Sequence, residues 1–395
     1  MIDFDKALEE VLSTRFTPGE EKVDLLKSNG RTLSVDVVAD RDFPPFNRST
    51  KDGVAINYEA WSSGSQPLKS LGVIPAGSPA VSLDSDFGFY EIMTGAVVPS
   101  NADTVVMYED VSIENGILQI EGQVKPGANI HRKGSDISKG AVIITAGTRI
   151  GPAEIGILAS VGMDEVPVQT LPKVSVIATG NELVPVNKTP LPHQVRRSNT
   201  YSLASLLGNK GIQADQIHIN DTREEITARL ESEIKDKDVL ILSGGVSKGK
   251  FDFIPEAMDV LGVKRLFHRV MQRPGKPFWF GIHKEYNTVV FSFPGNPVST
   301  FVNYHLYFTP WFNNSYGLTP DIASVFIAED FENTLPLTLF KGVRTRIDSG
   351  VIKARFVIDN GSGDLVSLKD CDGFVKLDPG KKINSGDVLI FVPTR

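Results

Sequence analysis

The sequence predicts a multidomain α/β plus β protein, and three stretches of its 395 residues carry that prediction. From Lys173 to about Phe308, apolar runs of strand length alternate with helical stretches. That alternation implies right-handed βαβ units on a mainly parallel sheet. Residues 55–135 hold short apolar runs between glycine turns, the pattern of a small β domain. Residues 320–395 carry runs such as SVFIAEDF and DVLIFVP between Gly-Asp and Asn-Gly turns. These imply a second small, antiparallel β domain.

Composition narrows the function classes. With 41% hydrophobic and 23% charged residues the chain is ordinary globular material, long enough for more than one domain. A net charge of −7 and a pI near 5.5 argue against a nucleic-acid partner. The single cysteine, Cys371, rules out an intrachain disulfide and a zinc site of the CxxC kind. The start, MIDFDKALEEVL, has no basic segment followed by an apolar one, and no apolar run is long enough to span a bilayer. No membrane association is expected, and a cytoplasmic location is the default.

Taken in order, residues 4–12 and 20–26 read as short amphipathic helices. Pro44 and Pro45 then force extended backbone, and Asp52-Gly53 reads as a turn before a strand at 54–57. Thr94-Gly95 ends another strand, and Arg132 and Lys133 form a basic pair in a glycine loop suited to phosphate. Gly151-Pro152 opens a helix that could pack with the N-terminal ones, which would make the β-rich part an insertion.

Within the α/β region the polar motifs share one position. TGNE (179–182), Asn220-Asp221, SGGVS (243–247) and PGNP (294–297) each follow a strand. Strand ends of an open parallel sheet share one edge, and ligands bind there. The four turns should therefore converge on one cleft. Asn199 and Asp252 read as helix N-caps, and Thr222–Glu225 as a capping box. Glu182, Asp221 and Asp252 would bring carboxylates suited to Mg²⁺. Ser243, Ser247, Ser299, Lys276 and backbone amides would bring oxyanion donors. Metal ligands and oxyanion donors in one cleft point to phosphoryl or nucleotidyl chemistry.

Seven motifs in order, FPPFNRSTKDGVA, IMTGAVVPSNADTVV, HRKGSDI, TGNEL, SGGVS, RPGKP and FPGNPVS, resemble those of the molybdopterin molybdenumtransferases, the MoeA and gephyrin E-domain family. The resemblance runs nearly end to end. It implies a discontinuous helical linker domain (1–27 and 137–165), a β-rich lid (28–136), a molybdopterin-binding α/β domain (166–315) and a C-terminal antiparallel β-barrel (316–395). It also implies a homodimer that inserts molybdate into adenylylated molybdopterin, releasing AMP and molybdenum cofactor, with Mg²⁺ required. A molybdopterin adenylyltransferase and cofactor-accepting molybdoenzymes would be its partners. Asp52, Thr94, Glu182, Asp221 and Asp252 take catalytic roles by this resemblance, Glu182 and Asp221 also as metal ligands. Substrate contacts fall to Thr179, Gly180, Ser198, Ser243, Gly244, Gly245, Ser247, Arg273, Lys276, Pro294, Gly295, Asn296, Pro297, Ser299, Arg132 and Lys133. Asp52 and Thr94 would reach the neighbouring subunit's site.

The chain departs from the family pattern at four places. Lys51 and Val54 flank Asp52-Gly53 where methionine and an aromatic are usual, and Asn181 stands for an acidic residue. Lys250 replaces an acid, and Arg273 replaces a common lysine with a bidentate fork. These changes add positive charge around the cleft. The competing readings are a molybdopterin adenylyltransferase, against which the lid and barrel count, and a non-catalytic molybdopterin-binding scaffold, against which the retained acids count.

Overall fold

The computed structural model describes residues 1–64, 66–246, 252–319 and 323–395. Ser247 and Lys250 of the sequence reading lie outside the described residues.

A six-stranded sheet organises the centre, in the order Ala214–Ile219, Val174–Thr179, Val239–Ser243, Thr288–Phe293, Trp279–His283, Lys264–His268. The first four strands run parallel, and Trp279–His283 runs antiparallel to both of its neighbours. Val174–Thr179, Val239–Ser243 and Thr288–Phe293 are buried at every position, which explains why they are mostly apolar, with only small hydroxyl residues between. Helices cover both faces. Leu203, Leu207, Val298 and Val302 pack on the side of Val176 and Ile241, while Ile226, Leu230, Ile254 and Met258 pack on the side of Ile177 and Leu242.

Three local expectations change here. Asn199 is not a cap, because the helix Ser198–Gly208 already starts one residue earlier, with Arg197 at the N-cap. Thr222 is the N-cap of Arg223–Asp236 but makes no capping bond; Glu225 instead accepts from the side-chain and backbone N–H groups of Asn220. Asp252 lies one residue before the cap of Ile254–Val260, which is Phe253. For Asn199 a long-range demand on the side chain overrides the local capping preference.

The first helix, Phe4–Ser13, is capped by Asp3, whose carboxylate takes the Lys6 N–H at 2.9 Å. Phe4, Ala7 and Val11 share its buried face and join the core of the α/β sheet together with Phe340 and Phe374. The helix therefore docks on the α/β core, not on residues 137–165. Residues 20–26 are not a helix. Glu20–Asp24 is a strand paired antiparallel with Glu165–Gln169, followed by a 3-10 turn, Leu25–Ser28. Its helix formers are overruled because pairing lets this backbone cover the buried Val166 and Val168. The expected helix Pro152–Ser160 is present, with its Gly151 N–H bonded to Glu154 at 2.8 Å. It packs through Leu158 on Leu33, Ile150, Val166 and Val168.

The β-rich part is a second six-stranded sheet, ordered Thr104–Met107, Gly53–Ile56, Gly88–Ile92, Lys69–Ile74, Ile117–Ile120, Val111–Glu114. Gly53 is not a turn residue in it but the first strand residue, opposite Met107. A Cβ there would lie 1.9 Å from the Val106 carbonyl oxygen, so the glycine permits close backbone approach. Gly53→Ala is expected to cost about 3 kcal/mol or more, the upper range of overpacking. A thermal unfolding scan would show it as a clear fall in Tm; an unchanged Tm would mean the strand can shift without penalty.

In the C-terminal part, Thr338–Asp348, Val351–Phe356, Ala323–Ile327, Val388–Pro393 and Gly373–Leu377 pair in that order, and the first pairs with the last, closing a five-stranded barrel. One of its pairs, Ala323–Ile327 with Val351–Phe356, runs parallel, so the barrel is not antiparallel throughout. Cys371 is buried in this part, and burial pushes its thiol up to about 11.

Candidate functional site

The four strand-end turns do converge. They line a cleft of about 550 Å³, within the usual range for small-molecule sites. Thr179, Gly180 and Glu182 come from the first turn, Asp221 from the second, Ser243–Gly245 from the third and Gly295–Pro297 from the fourth. Ser198 and Asp252 also line it. The third turn requires its glycines. Gly244 and Gly245 have φ of +107° and +68°, and a Cβ on either would crowd Thr179.

One side of the cleft is acidic. Burial raises Asp221 above its ordinary carboxylate range, and the charges of Glu182 and Asp252 raise it further, while the Asn181 N–H and His218 oppose the shift. Asn181 is the departure from the family motif, yet it has a clear task. Its Oδ1 accepts the Asp221 N–H at 3.0 Å, and its own N–H donates to the Asp221 carboxylate at 3.3 Å. The amide thus locks two turns together without adding a further negative charge.

The other side carries donors. Ser243 is buried, and its Oγ accepts from Asn199 Nδ2 at 2.8 Å. The same Nδ2 donates to Gly295 O at 2.7 Å, so Asn199 ties the third turn to the fourth. Arg196 and Arg197 also line the cleft. The Arg197 Nε and the Thr179 Oγ1 are buried without a hydrogen-bond partner. Buried polar atoms of this kind are ordinarily satisfied, and here they border a ligand-sized space. Sequence reasoning missed Arg196, Arg197 and the bridging role of Asn199. The signal was the RRSN run at a helix start, read only as a cap.

Several expected site residues lie elsewhere. Ser299 and Pro294 are buried beside the fourth turn and do not line the cleft. Arg273 lines an adjoining cavity of about 300 Å³ between the α/β and barrel parts. It goes there because Gln272–Arg273 pairs with Thr338 and Leu339 at the start of a barrel strand. Beside it Lys341 and Asp359 pair at 2.5 Å. Burial pushes the Asp359 carboxyl up, but Lys341, the Gly361 N–H and Arg273 together hold it below its ordinary value. The two cavities share a wall, where Asn296 Nδ2 donates to Ser362 Oγ at 2.8 Å. Lys276 is exposed and lines neither.

The remaining candidates sit on the β-rich part, away from the cleft lining. Asp52 is exposed; its Oδ1 accepts the Thr94 N–H at 2.6 Å and the Thr94 hydroxyl at 2.9 Å. Those two bonds hold its carboxyl below the usual range. Nearby, burial and a bond to Glu91 push the Tyr108 hydroxyl up to about 12. Arg132 and Lys133 follow His131, which stands between Arg48 Nη2 at 3.1 Å and Asp136 at 2.7 Å. Lys133 approaches Asp42 at 3.6 Å.

Residues 2–162 match the MoeA N-terminal region (domain I and II), and residues 175–314 match the probable molybdopterin binding domain. The chain is 37% identical over 365 residues to a molybdopterin molybdenumtransferase of Synechocystis, covering 91% of each chain. The chain belongs to the molybdopterin molybdenumtransferase family. A Bacillus subtilis relative of the same name is 32% identical, with 96% of this chain and 91% of that one covered. The crystal structure of a molybdopterin biosynthesis MoeA protein from Pyrococcus horikosii superposes with a TM-score of 0.84 at 30% identity, covering 100% of this chain and 99% of that one. The molybdenumtransferase family thus accounts for the motifs of the lid-like sheet as well as those of the cleft.

Proposed function

We propose that this protein inserts molybdate into adenylylated molybdopterin, releasing AMP and molybdenum cofactor. The observation that carries the proposal is the cleft itself, whose lining combines carboxylates with unpartnered donors beside a second cavity holding Arg273. Among the described residues no group of three or more His, Cys, Asp or Glu is placed to hold a metal ion. Mg²⁺ does not need such a group, since it is usually held by one or two carboxylates plus substrate phosphates and water. Asp221 is raised first by burial and then by the charges of Glu182 and Asp252, and a cation beside it would offset both, so the residues fit. Glu182 and Asp221 would hold Mg²⁺, and Asp252 would orient it or the substrate. When bound, the ion neutralises phosphate charge and polarises the bond to AMP.

The protein's own groups do the rest. Thr179, Ser243 and the amides of the SGG and PGNP turns orient the phosphates, and Arg197 adds positive charge. Molybdate is a small dianion and needs cations and donors, which Arg273 and Lys341 supply where the cavities adjoin. The dithiolene sulfurs of the substrate take the molybdenum, so no protein thiol is needed. In a homodimer, Asp52 and Thr94 of one subunit would complete the site of the other, with Arg132 and Lys133 on the same lid. We place the protein in the cytoplasm, exchanging ligands with a molybdopterin adenylyltransferase and molybdoenzyme acceptors. Among the described residues no helix is long and apolar enough to cross a membrane.

The test is turnover. Protein supplied with adenylylated molybdopterin and Mg²⁺ should release AMP only when molybdate is present, and should reconstitute a cofactor-free apoenzyme. Tight binding with no AMP release would replace this reading with that of a scaffold.

A further inference from the structure

Arg273 and Lys276 are exposed cations on one short loop; strand pairing with Thr338 and Leu339 anchors its start, and the charge of Arg273 reaches Asp359. The rest of the fixing comes from beneath. Gln272, Asn303 and Tyr307 are fully buried among aromatic rings, an environment that favours apolar side chains. Gln272 Nε2 donates to Pro274 O at 2.9 Å and to Asn303 Oδ1 at 2.9 Å. Asn303 Nδ2 donates to Gly275 O at 3.3 Å, and the Tyr307 hydroxyl donates to Gln272 Oε1. The chain of bonds ends on the two carbonyls at the loop tip. Gly275 has φ of +91°, and a Cβ there would lie 2.1 Å from Asn303 Oδ1, so loop and network are fitted to each other.

The helical side of the network is also unusual. Asn303 ends the helix Pro297–Asn303, and Tyr307 lies in the π-helical turn Tyr304–Phe308 that follows. Such turns are rare and concentrate at functional sites. A fully satisfied buried polar network rigidifies what it touches.

Resting on the molybdate role proposed for Arg273, we propose that Gln272, Asn303 and Tyr307 are positioning residues that set the Arg273–Lys276 loop for oxyanion binding. They touch no substrate. They act by holding the loop carbonyls, and hence the Arg273 fork, at one distance from the anion. A displacement of about 1 Å at such a site can cost on the order of a hundredfold.

The experiment is a calorimetric titration of the full-length protein with molybdate, run beside the AMP-release assay. Tyr307→Phe removes one hydroxyl and keeps the ring. Asn303→Leu keeps the side-chain volume and removes both the acceptor for Gln272 and the donor to Gly275. Each is expected to raise the molybdate Kd about tenfold or more while AMP affinity stays unchanged. In an Arg273→Ala background neither should have a further effect, because the two act through one group. An unchanged Kd in the folded variants, an undiminished effect without Arg273, or no molybdate binding by the wild type would each overturn the proposal. Wild-type protein that binds molybdate but releases no AMP would defeat the insertase reading alone, and the Kd comparison would still decide this one.

Discussion

Asp52→Ala is expected to leave the fold intact and to lower turnover by about a hundredfold or more, the range for loss of a positioned acid–base group. The side chain is exposed, and its bonded partner Thr94 is exposed as well, so little packing is at stake. Its chemistry is well defined. The Thr94 N–H and hydroxyl both stabilise the ionised form, which keeps the carboxyl charged below its ordinary range. The sign is that of a depressed acid: its contribution to stability is present at neutral pH and is lost as pH falls through the lowered folded value. Asp52 therefore does not set the pH limit of activity near neutrality. The cross-subunit role has its own test. Mixing Asp52→Ala protein with a cleft variant and allowing exchange should restore about a quarter of wild-type activity, since half of the dimers are mixed and each has one complete site. No recovery would place Asp52 outside the partner's site.

The second large effect is expected at Asp221. Asp221→Asn should reduce Mg²⁺-dependent AMP release on the order of a hundredfold, the scale reached even when an outer partner of a metal ligand is removed. The folded protein should respond in the opposite sense. Asp221 is raised by burial and by its two acidic neighbours, so its ionisation disfavours the fold. Without Mg²⁺ that penalty is absent below the ordinary carboxylate pKa and grows as pH rises through the raised folded value. Asp221→Asn should then melt no lower than wild type in chelator at pH 7, yet gain less from added Mg²⁺. In chelator, the upper end of the pH range over which this penalty develops should lie above the ordinary carboxylate range. It should move down in Asp252→Asn, which removes one repelling charge. A metal-free Tm that falls in Asp221→Asn, with Mg²⁺ stabilisation intact, would remove Asp221 from the metal site.

Asp221 is legible from its place after a strand, whereas Asp52 reads locally as a turn residue and enters the site only through the family resemblance. Glu182, Asp221, Ser243 and Gly295 were placed by a single rule, that turns after parallel strands share an edge, and they do line one cleft. The rule works because the alternation of strand and helix is local, and local alternation has only one favoured handedness. Asn199 shows where local reasoning stops. A polar residue near a helix start is usually a cap, but this one reaches two other turns that lie far along the chain.

By itself the sequence determined the βαβ core, the small β parts on either side of it, and the meeting of the four polar turns. Each of these follows from apolar period and turn chemistry within a few residues. The tertiary structure alone decided three things. The stretch 20–24 is a strand because its partner, Glu165–Gln169, needs covering. The first helix joins the α/β core because Phe4 packs on Tyr307 there, with Phe340 of the adjoining barrel strand beside it. Arg273 faces the second cavity because Gln272–Arg273 pairs with the start of a barrel strand. All three are pairings between distant segments. Such pairings depend on which surfaces remain to be buried once the local elements have formed, and that is not written in any single stretch.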